Sequence, residues 1–207
     1  MKNKYDVLII GAGPAGIFAA LELAKRSKLH IALIEKGFDI DSRNKRLSGW
    51  GGAGAYSDGK LTLSTEVGGQ LLSNLPSAEA DSLLQYTDNI YLQFGAADTV
   101  YGVDDEKSRA MHRKAVLANL KFIPMKVRHL GTDRCFFILK EMRKFLDDKV
   151  DVITETSVEQ ILVENGKASG IITKSGEKIF ATYVVACPGR EGSDWLSQEA
   201  RRLELGQ

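Results

Sequence analysis

The feature that most constrains this chain is Gly11-Ala12-Gly13-Pro14-Ala15-Gly16, a G-x-G-x-x-G set between two patterned runs. An apolar, β-rich run, residues 5–10, leads into it, and good helix formers follow at residues 17–26. The glycines have separate roles. Gly11 lets the chain turn sharply out of a strand, Gly13 lets the backbone approach a pyrophosphate, and Gly16 lets the helix pack on the strand. The helix N-terminus then offers N–H groups and a partial positive charge to phosphate. A second apolar run, residues 29–34, ends on Glu35, where a carboxylate can accept hydrogen bonds from adenosine ribose hydroxyls. The glycine pattern alone is weak; strand, turn, helix and strand-ending acid together are the context that gives it meaning. An acid at 35 repels a ribose 2′-phosphate, which argues against NADP. The expected fold is α/β, a Rossmann-like FAD/NAD(P)-binding domain.

Further along, the spacing predicts helices over residues 78–94, 105–121 and 132–146, the last capped by Thr132 or Asp133. The final third reads as short strands, residues 150–153, 157–163, 168–173 and 182–186, with Asn165-Gly166 and Ser175-Gly176 as turn signals. A short helical stretch, residues 195–205, follows. This order predicts a parallel sheet from the N-terminal strands. The C-terminal strands supply a small antiparallel layer and the last strand of that sheet, and a mostly helical insert lies between. The dinucleotide-binding domain is thus expected to be discontinuous, residues 1–75 with 148–207. Residues 76–147 form the insert, part of the substrate region.

Composition narrows the function classes. Lys+Arg 28 against Asp+Glu 27 leaves a formal charge of +1, which gives no footprint for nucleic acid. The 2 cysteines, Cys135 and Cys187, lie in no metal-type spacing, so no metal is expected. There is no signal-peptide pattern and no apolar run of about 18 residues, so no membrane span is expected and the location is read as cytoplasmic.

The fingerprint does not by itself separate FAD from NAD. Three features favour FAD: the motif begins almost at residue 1, a second glycine cluster spans residues 49–60, and residues 183–189 read as a second nucleotide-domain strand and turn. Gly51, Gly52 and Gly54 let backbone lie against a flat ring or a phosphate. Ser57, Asp58 and Lys60 add a hydroxyl, a carboxylate and a cation. Arg128 and His129 sit in a polar island and could hold an anionic substrate or move a proton; the same island also reads as a solvated helix-capping loop.

Residues 11–20 (GAGPAGIFAA), 49–61 (GWGGAGAYSDGKL), 91–96 (YLQFGA), 128–133 (RHLGTD) and 184–192 (VVACPGREG) carry a family resemblance. On them the chain resembles the uncharacterised bacterial and archaeal FAD-dependent dehydrogenases, within the glutathione-reductase-like two-dinucleotide-fold flavoproteins. It departs from them in having no cysteine within residues 39–48. Members of that group are longer, so the match covers an N-terminal portion and the chain is expected to be incomplete as a flavoenzyme. The resemblance implies that loop 49–60 runs along FAD toward the flavin ring and that Val158 meets the adenine through its backbone. Together with the fingerprint it implies a cofactor-binding set of Gly11, Gly13, Pro14, Ala15, Gly16, Glu35, Lys36, Gly51, Gly52, Ser57, Asp58, Gly59, Lys60, Val158, Ala186, Pro188 and Gly189. Lys60, Arg128 and His129 are the candidates for a catalytic role. The implied activity is an FAD-dependent oxidoreductase acting on an unknown small organic substrate, with NAD(P)H or a redox protein as electron donor. An NAD-dependent dehydrogenase and a non-catalytic FAD- or nucleotide-binding remnant stand as alternatives.

Overall fold

The computed structural model describes residues 4–43, 47–57, 59–102 and 106–205. In chain order the elements are β1 (Lys4–Ile10), α1 (Pro14–Arg26), β2 (Ile31–Ile34), β3 (Lys60–Thr62), α2 (Leu71–Asn74), α3 (Ser77–Gln93), β4 (Val100–Tyr101), α4 (Glu106–Leu117), β5 (Val127–His129), α5 (Thr132–Leu146), β6 (Val150–Ile153), β7 (Val158–Glu164), β8 (Lys167–Thr173), β9 (Lys178–Ala186) and α6 (Ser193–Arg202). Contacts divide the chain into two compact units, Met1–Tyr56 with Leu139–Gln207, and Ser57–Ile138.

The first unit is built on a 6-stranded sheet in the order β6-β2-β1-β9-β8-β7. β6, β2, β1 and β9 run parallel, with Leu8 opposite both Ala32 and Val184. β8 and β7 continue the same sheet antiparallel. The near-continuous apolar runs of β1 and β2 follow from burial on both faces. Tyr5, Leu8, Ile10, Ala32, Ile34, Ile171 and Ile179 form one core cluster. Strand alternation puts Ile9 and Leu33 on the other face, where α1 buries Ile17, Ala20 and Leu21. At the β7 edge, α6 takes up backbone groups that a neighbouring strand would otherwise pair. Trp195 Nε1 donates to the Glu159 carbonyl, Arg202 donates to the Ile161 carbonyl, and Glu199 accepts the Ile161 N–H.

The second unit holds α2, α3, α4 and a 3-stranded antiparallel sheet in the order β3-β5-β4. Its buried ion pair joins Arg128 on β5 to Asp88 on α3. The sheet was not legible as a pattern: strands of 3, 2 and 3 residues are too short to show a period of two. Residues 128 and 129, readable as a capping loop, therefore lie on β5. α5 begins at Thr132, earlier than a Thr132 or Asp133 cap implies: Cys135 N–H already bonds the Gly131 carbonyl, so Thr132 lies inside the first turn. Its residues to Ile138 count with this unit and those from Leu139 with the first.

Candidate functional site

The polar centre of the first unit lies at the C-terminal ends of β2, β1 and β9, the crevice where open α/β sheets bind ligands. Gly11 N–H donates to the Ile34 carbonyl at 2.7 Å and Cys187 N–H to the Ile10 carbonyl at 2.8 Å, so the turns after β1 and β9 are stitched to their neighbouring strands. Gly11 has φ +100, and a Cβ there would stand 2.2 Å from the Cys187 carbonyl oxygen. A Cβ on Gly16 would stand 1.9 Å from the Gly11 oxygen, so this glycine sets the approach of α1 to the turn. Gly13 differs: a Cβ there meets nothing within 4 Å. The protein's own packing does not demand a glycine at 13, but a ligand lying against the backbone would. Gly13 is also the α1 N-cap, with no side-chain cap, and Pro14 brings no N–H, which leaves the first-turn donors of Ala15 and Gly16 for a ligand.

Glu35 is buried at 6% exposure, and its carboxylate gathers three backbone donors. Oε2 accepts Ala12 N–H at 2.8 Å, and Oε1 accepts Gly37 N–H at 2.8 Å and Gly49 N–H at 2.9 Å. A carboxylate has about four lone-pair sites, so one remains on Oε2. Arg43 works on the opposite polarity. Its guanidinium donates to the Trp50 and Gly52 carbonyls, each at 2.5 Å, and at 3.4 Å to that of Gly49. The second glycine cluster is thus held by an anion on its N–H side and a cation on its C=O side. It also docks on the first turn: Gly51 N–H donates to the Ala12 carbonyl at 2.7 Å, and a Cβ on Gly52 would stand 3.0 Å from Gly13 Cα. Arg43 carried no sequence signal, being one of two arginines in a polar irregular stretch, residues 36–46.

Beside the turn lies a cavity of about 250 Å³ lined by Gly11, Glu35, Ser157, Val158, Pro188 and Trp195, among others. That is just under the ~300–1,000 Å³ of whole small-molecule pockets, a size suited to one half of a dinucleotide. Lys36, also on the wall, makes an ion pair with Glu191 at 3.4 Å. Ala186 ends β9 opposite Ile10, and Gly189 takes the left-handed conformation with φ 63. Burial pushes the Cys187 thiol above its ordinary range, which suits an inert thiol better than a nucleophile. Trp195 and Ser157 were not among the sequence candidates; the available signal was a tryptophan in the first turn of the helix that follows the last nucleotide-domain strand.

The remaining sequence candidates lie in the second unit. Lys60 on β3 is directly opposite His129 on β5, and both are exposed. Gly59 is buried, with a would-be Cβ 2.7 Å from Gly131 N, and Ser57 Oγ accepts its N–H at 3.1 Å. Asp58 lies outside the described residues. Arg128 is 4% exposed. Its Nε and Nη2 bond the two oxygens of Asp88 at 2.5 and 2.7 Å, and Nη1 reaches the Ala97 carbonyl. The Asp88 hydrogen bond raises the Arg128 pKa further, against desolvation and with the help of the Asp88 and Asp98 charges. This guanidinium already carries its carboxylate and acts within the unit. Among the described residues no cluster of His, Cys, Asp and Glu is arranged to hold a metal, and no helix is long and apolar enough to cross a membrane.

The sequence pattern of one family, described as FAD dependent oxidoreductase, matches residues 6–126, more than half of the chain. The chain belongs to the FAD dependent oxidoreductase family. Its cofactor is FAD, and the fingerprint turn, β2 with its terminal acid and the second glycine cluster all fall inside the matched span. A curated relative, the tRNA uridine 5-carboxymethylaminomethyl modification enzyme MnmG of Treponema denticola, is 24% identical over 198 residues, 95% of this chain and 27% of that protein. Among solved structures, L-proline dehydrogenase from P. horikoshii is 14% identical with TM-score 0.61, over 100% of this chain and 57% of that one. Glycine oxidase from Geobacillus kaustophilus is 19% identical with TM-score 0.58, over 99% of this chain and 60% of that one. At those identities the likeness is one of fold. The chain spans little over a quarter of that curated relative and three-fifths or less of these structures.

Proposed function

We propose that this chain is the dinucleotide-binding part of an oxidoreductase that passes hydride or electrons between a small organic substrate and FAD. The observation that carries the reading is the crevice over β1. It has an uncapped helix N-terminus beside a side-chain-free Gly13, and Glu35 with one open lone pair on the wall of the adjoining cavity. When bound, the flavin supplies the redox chemistry; the chain's own residues bind and orient it. The Ala15 and Gly16 N–H groups meet the pyrophosphate, Glu35 Oε2 accepts a ribose hydroxyl, and Val158 and Pro188 bound the adenosine end. The Gly51–Gly52 backbone keeps the turn in shape. Ser57, Asp58 and Lys60 are assigned to the flavin side, where the Lys60 cation would favour the anionic reduced form. His129, opposite Lys60, is the proton-handling candidate.

The discontinuous arrangement, proposed as residues 1–75 with 148–207 around an insert at 76–147, finds support in the alternation of two compact units along the chain, although the second unit runs from Ser57 to Ile138 and so takes in residues 57–75. Placement in the glutathione-reductase-like branch is supported by β9, a second nucleotide strand paired parallel with β1. The electron donor is assigned to NAD(P)H or a redox protein.

The test is to mix the purified chain with FAD, remove free cofactor by gel filtration, and record the absorption spectrum before and after denaturation. Flavin absorbance that travels with the chain, is released by denaturation and is not displaced by NAD supports the reading. A chain that retains no flavin but binds NAD overturns it in favour of a nicotinamide enzyme.

A further inference from the structure

We propose that Trp195 is the aromatic wall against which the adenine of the bound nucleotide lies, and that docking of α6 on the edge strand β7 sets its position. The inference rests on the nucleotide reading of the crevice. Trp195 lines the cavity of about 250 Å³ that Gly11, Glu35, Val158 and Ser157 also line. It is partly buried and packs against the core cluster that contains Ile10 and Ile34, at the ends of β1 and β2. The ring is also fixed in orientation: Nε1 donates to the Glu159 carbonyl at 2.8 Å, next in sequence to Val158.

The anchoring of α6 explains why the indole sits there. Trp195, Glu199 and Arg202 are spaced i, i+4, i+7, so they share one helix face. Glu199 Oε2 accepts Ile161 N–H at 2.8 Å, and Arg202 Nη2 reaches the Ile161 carbonyl at 2.7 Å. Arg202 also donates to both Glu199 oxygens, at 2.8 and 2.6 Å. The helix is therefore registered on β7 by hydrogen bonds to the backbone, and its first turn brings Trp195 to the cavity wall. Thr156 and Ser157 lie on the same wall, the Thr156 hydroxyl donating to the Thr154 carbonyl at 3.1 Å. A fixed aromatic face with a few hydroxyls is the chemistry that receives a flat heteroaromatic base.

The chain has 2 tryptophans, which makes the proposal optically testable. Trp50 is 0% exposed, with its indole N–H on the Leu139 carbonyl, and serves as the internal reference. ADP is the probe, because it carries the adenine without a flavin chromophore. We expect ADP to quench the fluorescence of the parent chain, saturating at the concentration at which calorimetry saturates. Trp195→Phe keeps an aromatic plane: it should bind ADP nearly as well as the parent yet lose most of the quench. Trp195→Ala should bind ADP about tenfold more weakly, ~1.4 kcal/mol, while binding inorganic pyrophosphate like the parent. A tryptophan that merely braced the fold would weaken both ligands together. Calorimetric binding of ADP without any quench in the parent, or equal losses for ADP and pyrophosphate in Trp195→Ala, overturns the proposal and leaves the nucleotide reading standing. ADP that neither releases heat nor quenches overturns both.

Discussion

Glu35 Oε1 accepts the backbone N–H of Gly49 at 2.9 Å, which ties the end of the second strand to the first residue of the second glycine cluster. The same carboxylate holds Ala12 and Gly37. Three backbone donors from the two connections that converge on the crevice thus share one anion before any ligand arrives. Glu35 is both a ligand-facing group, through its remaining lone pair, and the organiser of the loops around it.

That double role predicts a stability effect separate from binding. Glu35→Gln keeps the shape but points an amide N–H₂ at backbone donors. It should cost about 2–3 kcal/mol, the scale of a buried charged acceptor lost, and lower the melting temperature by roughly 5–10 °C. The measurement is a thermal melt without nucleotide. A variant that melts like the parent but binds ADP poorly would mean that Glu35 serves only the ribose.

The three fingerprint glycines should separate in the same assays. Gly16→Ala places a methyl 1.9 Å from the Gly11 carbonyl oxygen and should destabilise the fold by at least ~3 kcal/mol. Gly13→Ala meets only open space. It should melt within about 1 kcal/mol of the parent, the cost of the change being small at a helix cap, and lose affinity for ADP and pyrophosphate. Equal melting losses at 13 and 16 would contradict the division of roles.

The Arg128–Asp88 pair should behave as an element of the second unit's fold. Both side chains are 5% exposed, so Arg128→Met alone strands a buried carboxylate and should cost about 3–5 kcal/mol. The double variant Arg128→Met with Asp88→Leu should recover most of that, because two apolar groups replace the pair. Urea midpoints of the single and double variants decide it; a double variant no better than the single would assign the loss to Arg128 alone.

Acid should loosen α6 before it melts the sheet. Desolvation pushes the Glu199 carboxyl up, but the Arg202 hydrogen bond, the Ile161 N–H and the Arg202 charge outweigh it, and its pKa lies below the ordinary value. A carboxyl with a lowered folded pKa stabilises the fold fully above its unfolded value, near 4.3, and this contribution is lost as pH falls through the lowered folded value. In Glu199→Gln that portion of the acid dependence should vanish. Trp195 fluorescence followed from pH 7 downward is the readout, and identical acid profiles in variant and parent would refute the link.

The strand–turn–helix–strand start of the chain was legible because it is local. Glycines at 11, 13 and 16 and an acid at 35 are adjacent in sequence to the elements they serve, and hydrophobic period and turn chemistry report such elements directly. The helices of the insert and the C-terminal strands were legible for the same reason. The tertiary structure alone decided how the site is assembled. Arg43 on the carbonyls of 50 and 52, Glu35 on the N–H of 49, and Trp195 on the carbonyl of 159 are contacts between loops and elements. Nothing in the spacing of these residues encodes the contacts; the first two exist because the connection after β2 folds back on itself, and the third because α6 docks on the edge strand β7. Burial also changed one residue's meaning: in sequence Arg128 could hold an anionic substrate or sit as a solvated charge in a capping loop, and only the fold supplied Asp88 on α3 as the carboxylate it pairs with.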